Sequence, residues 1–252
     1  MPRLDHRHLA CALAACLATL SPAALAGAIS ISPLRVDLSA TAKTAALTVR
    51  NEDASATVVQ AEVLAWSQPG GEDVLAATRE LLVSPAVFTL APGAQQLVRV
   101  ALRRAPEPDR ELSYRLIVQE VPQVAAPETT GLRVALRLSV PVFVAAERAG
   151  DAVLTWIADR DADGGLAVTA RNDGPVHARV QRFTVRSAAG TVIEQPSLTY
   201  VLPGASRRWS FPSAEDAGAP ATPPAALPAG PYRLEGQTDR GTFTTELRLT
   251  QD

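Results

Sequence analysis

Apolar and polar residues alternate along most of the chain after residue 28, in short runs that Gly, Pro, Asn and Asp interrupt about every eight to twelve positions. Alternation with a period of two predicts β-strands that each have one apolar face. Frequent turn residues between such strands are typical of antiparallel sheets packed face to face. We therefore expect an all-β protein with two sandwich domains, at residues 27–145 and 150–252.

The longest alternating run covers residues 131–144. Its apolar residues occupy every second position and therefore form a row on one face of the strand. The other face carries Arg133, Arg137 and Pro141. Charged residues and proline are typical of an edge strand that is protected against indiscriminate pairing. The apolar row is then available to a partner protein, although a long core strand of the sandwich would show the same alternation. The row consists of Leu132, Val134, Leu136, Leu138, Val140 and Val142.

The first apolar run changes phase at Pro33. Ile29 and Ile31 share one phase, whereas Val36 and Leu38 share the other. Because successive side chains of a strand point to opposite faces, a strand that changes phase can pass from one sheet to the other. We expect such a change of sheet at Pro33.

Two later segments mark the organisation of the second half. The turn at 172–175 follows a strand of the second domain as the turn at 51–53 follows a strand of the first. Residues 213–230 are rich in Ala and Pro, which predicts an unpacked loop between strands.

The N-terminus has the features of a secretory signal. Basic residues precede an apolar run, and Ala24-Leu25-Ala26 is a small-residue cleavage site, so residues 1–26 are expected to be removed on export. The alternative is a lipoprotein signal, since Leu13-Ala14-Ala15-Cys16 would leave a lipidated Cys16. With cleavage after Ala26 both cysteines are lost, and the fold needs no disulfide.

Composition argues against several functions. The net charge is −2 with interspersed signs, which does not favour binding to nucleic acid or to an anionic membrane. After the signal the only histidine is His177, too few ligands for a zinc site and a weak basis for a catalytic triad. Residues 159–164 copy the opening of a calcium loop, but Ala170 stands where the bidentate Glu is needed. We expect no enzyme activity, no cofactor, no metal and no small-molecule substrate.

Several short motifs carry a resemblance to a known family. The motifs are Ser32-Pro33-Leu34-Arg35, Ser84-Pro85-Ala86-Val87-Phe88, Pro92-Gly93 followed by Arg99, Asp109-Arg110-Glu111 with Tyr114-Arg115, and Glu120-Val121-Pro122. In the order and spacing of these motifs over residues 28–144, the chain resembles the N-terminal domain of PapD-like periplasmic pilus chaperones. This resemblance implies immunoglobulin-like sandwiches set at an angle around a cleft.

The resemblance implies a periplasmic protein that lends its long strand to an incomplete pilin and delivers the pilin to an outer-membrane usher. The inserted side chains would be Leu132, Val134, Leu136 and Leu138, with Val140 as a fifth. In the family an arginine and a lysine hold the carboxylate at the end of the pilin. Arg35 matches the arginine, but Pro141 stands at the lysine position, which is more similar to the archaic, Csu-type branch.

The resemblance also implies a structural charge cluster between the domains, formed by Arg99, Glu111 and Asp239. Self-association of the free protein, which would cover the strand, is left open. The alternative function is a secreted or surface adhesion module with an immunoglobulin-like fold. An adhesin would present loops outside the cell, whereas a chaperone would present an edge strand in the periplasm.

Overall fold

The structure is a computed structural model that describes residues 29–122, 135–161, 164–187, 190, 192–211 and 230–249. Its regular elements are seventeen β-strands and, between the fourth and fifth, one 3-10 turn at Pro69–Gly71. The prediction of an all-β fold is confirmed. Among the described residues no helix is long and apolar enough to cross a membrane.

Ten strands build the first unit. They form two facing sheets, with orders β1-β3-β8-β6 and β2-β10-β9-β4-β5, and β7 also pairs with β4. The strands are β1 Ile29–Ser32, β2 Val36–Leu38, β3 Thr44–Asn51, β4 Thr57–Ser67, β5 Val74–Ala77, β6 Leu81–Ser84, β7 Val87–Leu90, β8 Gln95–Leu102, β9 Leu112–Glu120 and β10 Arg137–Val144.

The core of this sandwich consists of the inward-facing residues of both sheets. The expected change of sheet at Pro33 is confirmed, because β1 pairs with β3 in one sheet and β2 pairs with β10 in the other. Ile29 lies in the core through the first sheet, and Val36 and Leu38 reach the same core from the second. The phase change in the sequence therefore marks the point at which the chain passes from one sheet to the other.

Seven strands build the second unit, also as two sheets. The orders are β11-β12-β15 and β14-β13-β16-β17. Trp156 stacks on Phe243 with ring centroids 5.0 Å apart and on Trp209 at 5.9 Å, at the edge of a buried apolar core. The strands are β11 Leu154–Arg160, β12 Leu166–Asn172, β13 Ala178–Ser187, β14 Val192–Val201, β15 Ser206–Phe211, β16 Gly230–Thr238 and β17 Gly241–Leu249.

Two buried asparagines hold equivalent turns in the two units. Asn51 donates from its side chain to the carbonyls of Ser55 and Leu90, and its Oδ1 accepts from the N–H two residues on. Asn172 donates to the carbonyls of Val176 and Val201 and also accepts from the N–H two residues on. Because each asparagine side chain bonds to main-chain groups in the same pattern, the two turns have the same form, as the sequence predicts.

A third apolar cluster joins the two units. Trp66 and Phe143 of the first pack against Leu202 and Ala205 of the second, with Tyr200 at the margin. Phe143 lies on the face of β10 opposite to the sandwich core. The second unit therefore covers part of the outer face of the β2-β10-β9-β4-β5 sheet.

Three predictions fall wholly or partly outside the described residues. They concern the signal at 1–26, the loop at 213–230, and the first part of the long strand with Leu132 and Val134. Of the calcium-like stretch, Asp159 lies in β11 and forms an ion pair with Arg208, 2.7 Å between Oδ2 and Nη1. Asp159 is therefore part of a contact between two strands, β11 and β15.

Candidate functional site

The strand β10 has a backbone edge that is only partly used. It pairs with β9 in antiparallel fashion over its whole length, but the parallel pairing with β2 covers only Val142–Val144. Among the strands that the structure describes, none pairs with the other edge over residues 137–141. An unpaired edge of this kind is a template for adding a further strand.

The core-facing row that runs along β10 becomes more exposed toward the N-terminal end of the strand. Val140, Val142 and Val144 are buried in the sandwich core, with Val140 only 3% exposed. Leu136 and Leu138 are partly buried and pack at the margin of the same core. The side chain of Val140 therefore serves this protein's own core here, and the two leucines are the described members of the row that lie at its open end.

A cleft of about 770 Å³ lies between this free edge and β1. Apolar side chains from both strands line it, together with Arg35, Arg115, Arg179 and Tyr200. No acidic residue belongs to the described lining. The full lining is Ile29, Ser30, Ile31, Pro33, Leu34, Arg35, Arg115, Leu138, Ser139, Val140, Pro141, Arg179 and Tyr200.

Arg35 already has an anionic partner. Its Nε donates to both carboxylate oxygens of Asp37, at 3.0 and 2.9 Å, and its Nη1 lies 3.9 Å from Oδ2 of Asp239. The hydrogen bond to Asp37 raises the pKa of Arg35 above its ordinary value. The guanidinium also lies 5.8 Å from the centre of the Phe143 ring. The predicted carboxylate-binding arginine thus lines the cleft in an ion pair within its own chain.

Arg115 is placed differently. Its guanidinium lies over the Trp66 ring at 3.7 Å from the centroid and 5.5 Å from that of Tyr200. Within the described part of the chain it has no ion pair with a carboxylate. Burial lowers the pKa of Arg115 below its ordinary value, although Asp73 and Tyr200 act in the opposite direction. It is a partly buried cation at the cleft.

Arg179 reaches the same aromatic ring from the second unit. Its guanidinium carbon lies 5.6 Å from the Tyr200 centroid, and its buried Nε has no hydrogen-bond partner among the described residues. Its main-chain N–H donates to Asp239 Oδ1 at 2.9 Å, which holds the start of β13. Arg115 and Arg179 therefore both lie near the ring of Tyr200.

The predicted interdomain charge cluster is rearranged around a histidine. Glu111 Oε1 lies 2.7 Å from Nδ1 of His177, and Asp239 Oδ2 lies 3.8 Å from its Nε2. Arg99 lies outside this cluster. It is exposed on β8, because Val98 and Val100 on either side of it point into the core and the period of two turns Arg99 to the outer face.

His177 was not predicted as part of the interface. It is buried, and its ring stacks on Phe143 with centroids 3.7 Å apart and planes inclined by 12°. From the sequence it is an ordinary sheet histidine, and only the contact with β10 distinguishes it. Arg179 and Tyr200 were missed for the same reason, since each is a polar position on an alternating strand. The described residues contain no group of three or more His, Cys, Asp or Glu that could hold a metal ion.

Comparison with known proteins agrees with this architecture. Residues 28–148 match the family described as pili and flagellar-assembly chaperone, PapD N-terminal domain. No curated protein matches the chain in sequence. The match covers the whole of the first unit, and the resemblance to pilus chaperones seen in the sequence is confirmed.

Solved structures of low sequence identity share the fold over both units. The chaperone–tip subunit complex CsuC–CsuE of Acinetobacter baumannii gives a TM-score of 0.64 at 21% identity, with 89% of this chain and 100% of that chain covered. The E. coli chaperone DraB gives 0.57 at 20%, covering 88% and 96%. The Salmonella enterica SafA pilin–SafB chaperone complex gives 0.57 at 20%, covering 86% and 95%. The prediction of two immunoglobulin-like sandwiches is confirmed.

Proposed function

We propose that this protein is a periplasmic chaperone that binds pilin subunits by lending them β10, and that it delivers them to an outer-membrane usher. The observation that carries the proposal is the free edge of β10 over residues 137–141 beside the partly buried Leu136 and Leu138. The family of the first unit and the solved complexes with a pilin and a tip subunit support it. Export by a signal at 1–26 would place the protein in the periplasm.

Strand addition would work through both the backbone and the side chains. An incomplete pilin has an open groove and an unpaired edge, and an added strand supplies backbone hydrogen bonds together with alternate side chains for pockets. Burial of each leucine or valine contributes roughly 1.5 to 3 kcal/mol. We propose Leu132, Val134, Leu136 and Leu138 as the inserted residues. Val140 is the proposed fifth inserted residue, and in the free protein its side chain packs in this protein's own core.

The Csu-type branch is part of the proposal. Its support is Pro141, which lies buried opposite Arg115 in the β9–β10 pairing and has no N–H to donate. A lysine at this position would bring a second cation against Arg115. A surface adhesion module is the alternative function, and the unpaired strand edge favours the chaperone because an adhesin would bind through loops.

The test is co-expression of Leu136→Glu with a pilin subunit from the same genome. If the side chain at position 136 enters a pilin groove, the carboxylate of the substituted glutamate must be desolvated without a partner. Recovery of the complex should then be abolished. Arg137→Glu is the matched control. Arg137 is exposed on the opposite face of β10, so this variant should retain most of the complex.

Recovery of the complex by affinity purification and the melting temperature of each free variant are measured together. Normal binding by Leu136→Glu would refute strand donation through this face. Unfolding of the free Leu136→Glu variant would assign Leu136 to the protein's own core. Fractionation of cells that express the protein tests the periplasmic location, and release of bound pilin to a co-expressed usher tests delivery.

A further inference from the structure

The regular pairing of β10 with β9 ends at one pair of residues. The register joins Arg137 to Gln119, so Leu136 and Glu120 are the next pair. The main-chain N–H of Glu120 donates to the carbonyl of Leu136 at 2.9 Å. In a regular antiparallel pair the N–H of Leu136 returns a bond to the opposite main-chain carbonyl. Here it donates instead to Oε2 of the Glu120 side chain, at 3.1 Å. A carboxylate therefore takes the place of a main-chain acceptor at the end of the ladder.

The Glu120 side chain lies on the core-facing side of β9. Leu116 and Val118 of the same strand are buried in the sandwich core, and the period of two places Glu120 on their face. Glu120 is partly buried, and so is its hydrogen bond to Leu136. An ionised acceptor makes a stronger hydrogen bond than a neutral carbonyl does. The carboxylate thus holds the main chain of Leu136 at the margin of the core.

The position of Leu136 decides how the free edge of β10 begins. Successive residues of a strand direct their main-chain groups to opposite edges. Because Leu136 directs its N–H and carbonyl toward β9, Arg137 directs its own toward the free edge. Ser139 and Pro141 follow in the phase of Arg137, and Pro141 has no N–H. Over residues 137–141 the donors that face an added strand are therefore the N–H groups of Arg137 and Ser139.

We propose that Glu120 is a positioning residue for strand donation, because its carboxylate fixes Leu136 and thereby turns the main-chain groups of Arg137 toward the partner strand. This inference rests on the proposed function and adds to it a residue that acts through Leu136. Segments that must be ordered during binding weaken the complex, and a segment that is already held does not carry this cost. The Glu120 carboxylate orders the end of β10 before a partner arrives.

The test compares Glu120→Val and Glu120→Gln with Glu62→Val. Valine suits a strand but has no acceptor, whereas glutamine keeps a side-chain oxygen that accepts a hydrogen bond. Glu62 is the matched control, since it lies on the outer face of β4 between the buried residues Ala61 and Val63. Glu120→Ala repeats the test without a branched side chain. The melting temperature of each free variant is measured, and Glu120→Val should melt close to Glu62→Val.

Amide hydrogen exchange of the free ¹⁵N-labelled protein, followed by NMR, reports the positioning directly. The N–H of Leu136 should exchange roughly five- to tenfold faster in Glu120→Val, because a charge-assisted hydrogen bond is lost. It should exchange at nearly the wild-type rate in Glu120→Gln. The amide of Val140 lies inside the β9–β10 pairing and should be unchanged in every variant. A merely structural defect would instead speed exchange at both positions.

Co-expression with a pilin subunit from the same genome gives the functional result. Recovery of the complex should fall several-fold in Glu120→Val and Glu120→Ala, and it should return to nearly the wild-type level in Glu120→Gln. Glu62→Val should match the wild type.

Four results would overturn the inference and leave the proposed function intact. They are full recovery of the complex by Glu120→Val, unchanged exchange at Leu136 in that variant, equal losses in Glu120→Val and Glu120→Gln, and unfolding of both Glu120→Val and Glu120→Ala. The last would assign Glu120 to the stability of the sandwich. If the wild type captures no pilin, the proposed function itself fails, and the role of Glu120 in strand donation fails with it.

Discussion

Gln68 links the two units and offers a quantitative test of their packing. It follows β4 and is buried, at 7% exposure. Its Oε1 accepts the N–H of Leu202 at 2.9 Å, and its Nε2 donates to the carbonyl of Tyr200 at 2.9 Å and to Asp73 Oδ1 at 2.8 Å. Gln68→Ala removes these bonds while leaving Leu202 and Tyr200 in place.

The expected loss follows from the groups that are left without partners. A buried donor or acceptor that loses its hydrogen bond costs about 1–3 kcal/mol. The N–H of Leu202 is buried and the Tyr200 carbonyl is part-buried. We therefore expect Gln68→Ala to lower the free energy of unfolding by about 2–4 kcal/mol.

Urea unfolding and calorimetry of the purified variant measure this effect. The control is Gln96→Ala, because the Gln96 amide makes only an exposed hydrogen bond to the carbonyl of Leu97. The control should change the free energy of unfolding by less than about 0.5 kcal/mol. We also expect the two units of Gln68→Ala to unfold in separate transitions, since fewer contacts couple them. If Gln68→Ala is as stable as Gln96→Ala, this hydrogen-bonded link does not hold the units together.

Two further predictions concern stability. The hydrogen bond from Tyr114 and the ion pair with Arg104 hold the pKa of Glu80 below its ordinary value. The stabilisation is therefore complete above about pH 4.3 and is lost as the pH falls through the folded-state pKa. Glu80→Gln should lower stability at pH 7 and much less at pH 3 in urea titrations; an equal loss at both pH values would exclude this ionic contribution. Asn172→Ala should cost about 2–5 kcal/mol by thermal unfolding, because the side chain is fully buried with its oxygen and nitrogen both bonded. The exposed neighbour variant Asp173→Ala should cost far less, and similar losses in both would show that the turn does not depend on the Asn172 side chain.

The local pattern of the sequence predicted the all-β fold, and it predicted one change of sheet. Alternation identified β10 and the row that contains Leu136 and Leu138, and the phase change at Pro33 predicted that one strand serves both sheets. These features depend on the period of two and on turn residues, which are properties of neighbouring positions. The family motifs in residues 28–144 then predicted the class of protein.

The composition of the cleft was decided by tertiary structure. Alternation indicates that Arg115 lies on the outer face of its sheet, but not that Trp66 and Tyr200 cover it. Likewise Glu111 meets His177 only because the second unit packs on the outer face of β10. Such contacts join residues far apart in the chain, and their partners depend on how two sheets from different units meet. A strand pattern specifies which face a side chain takes, whereas the charge and burial of that face depend on what packs against it.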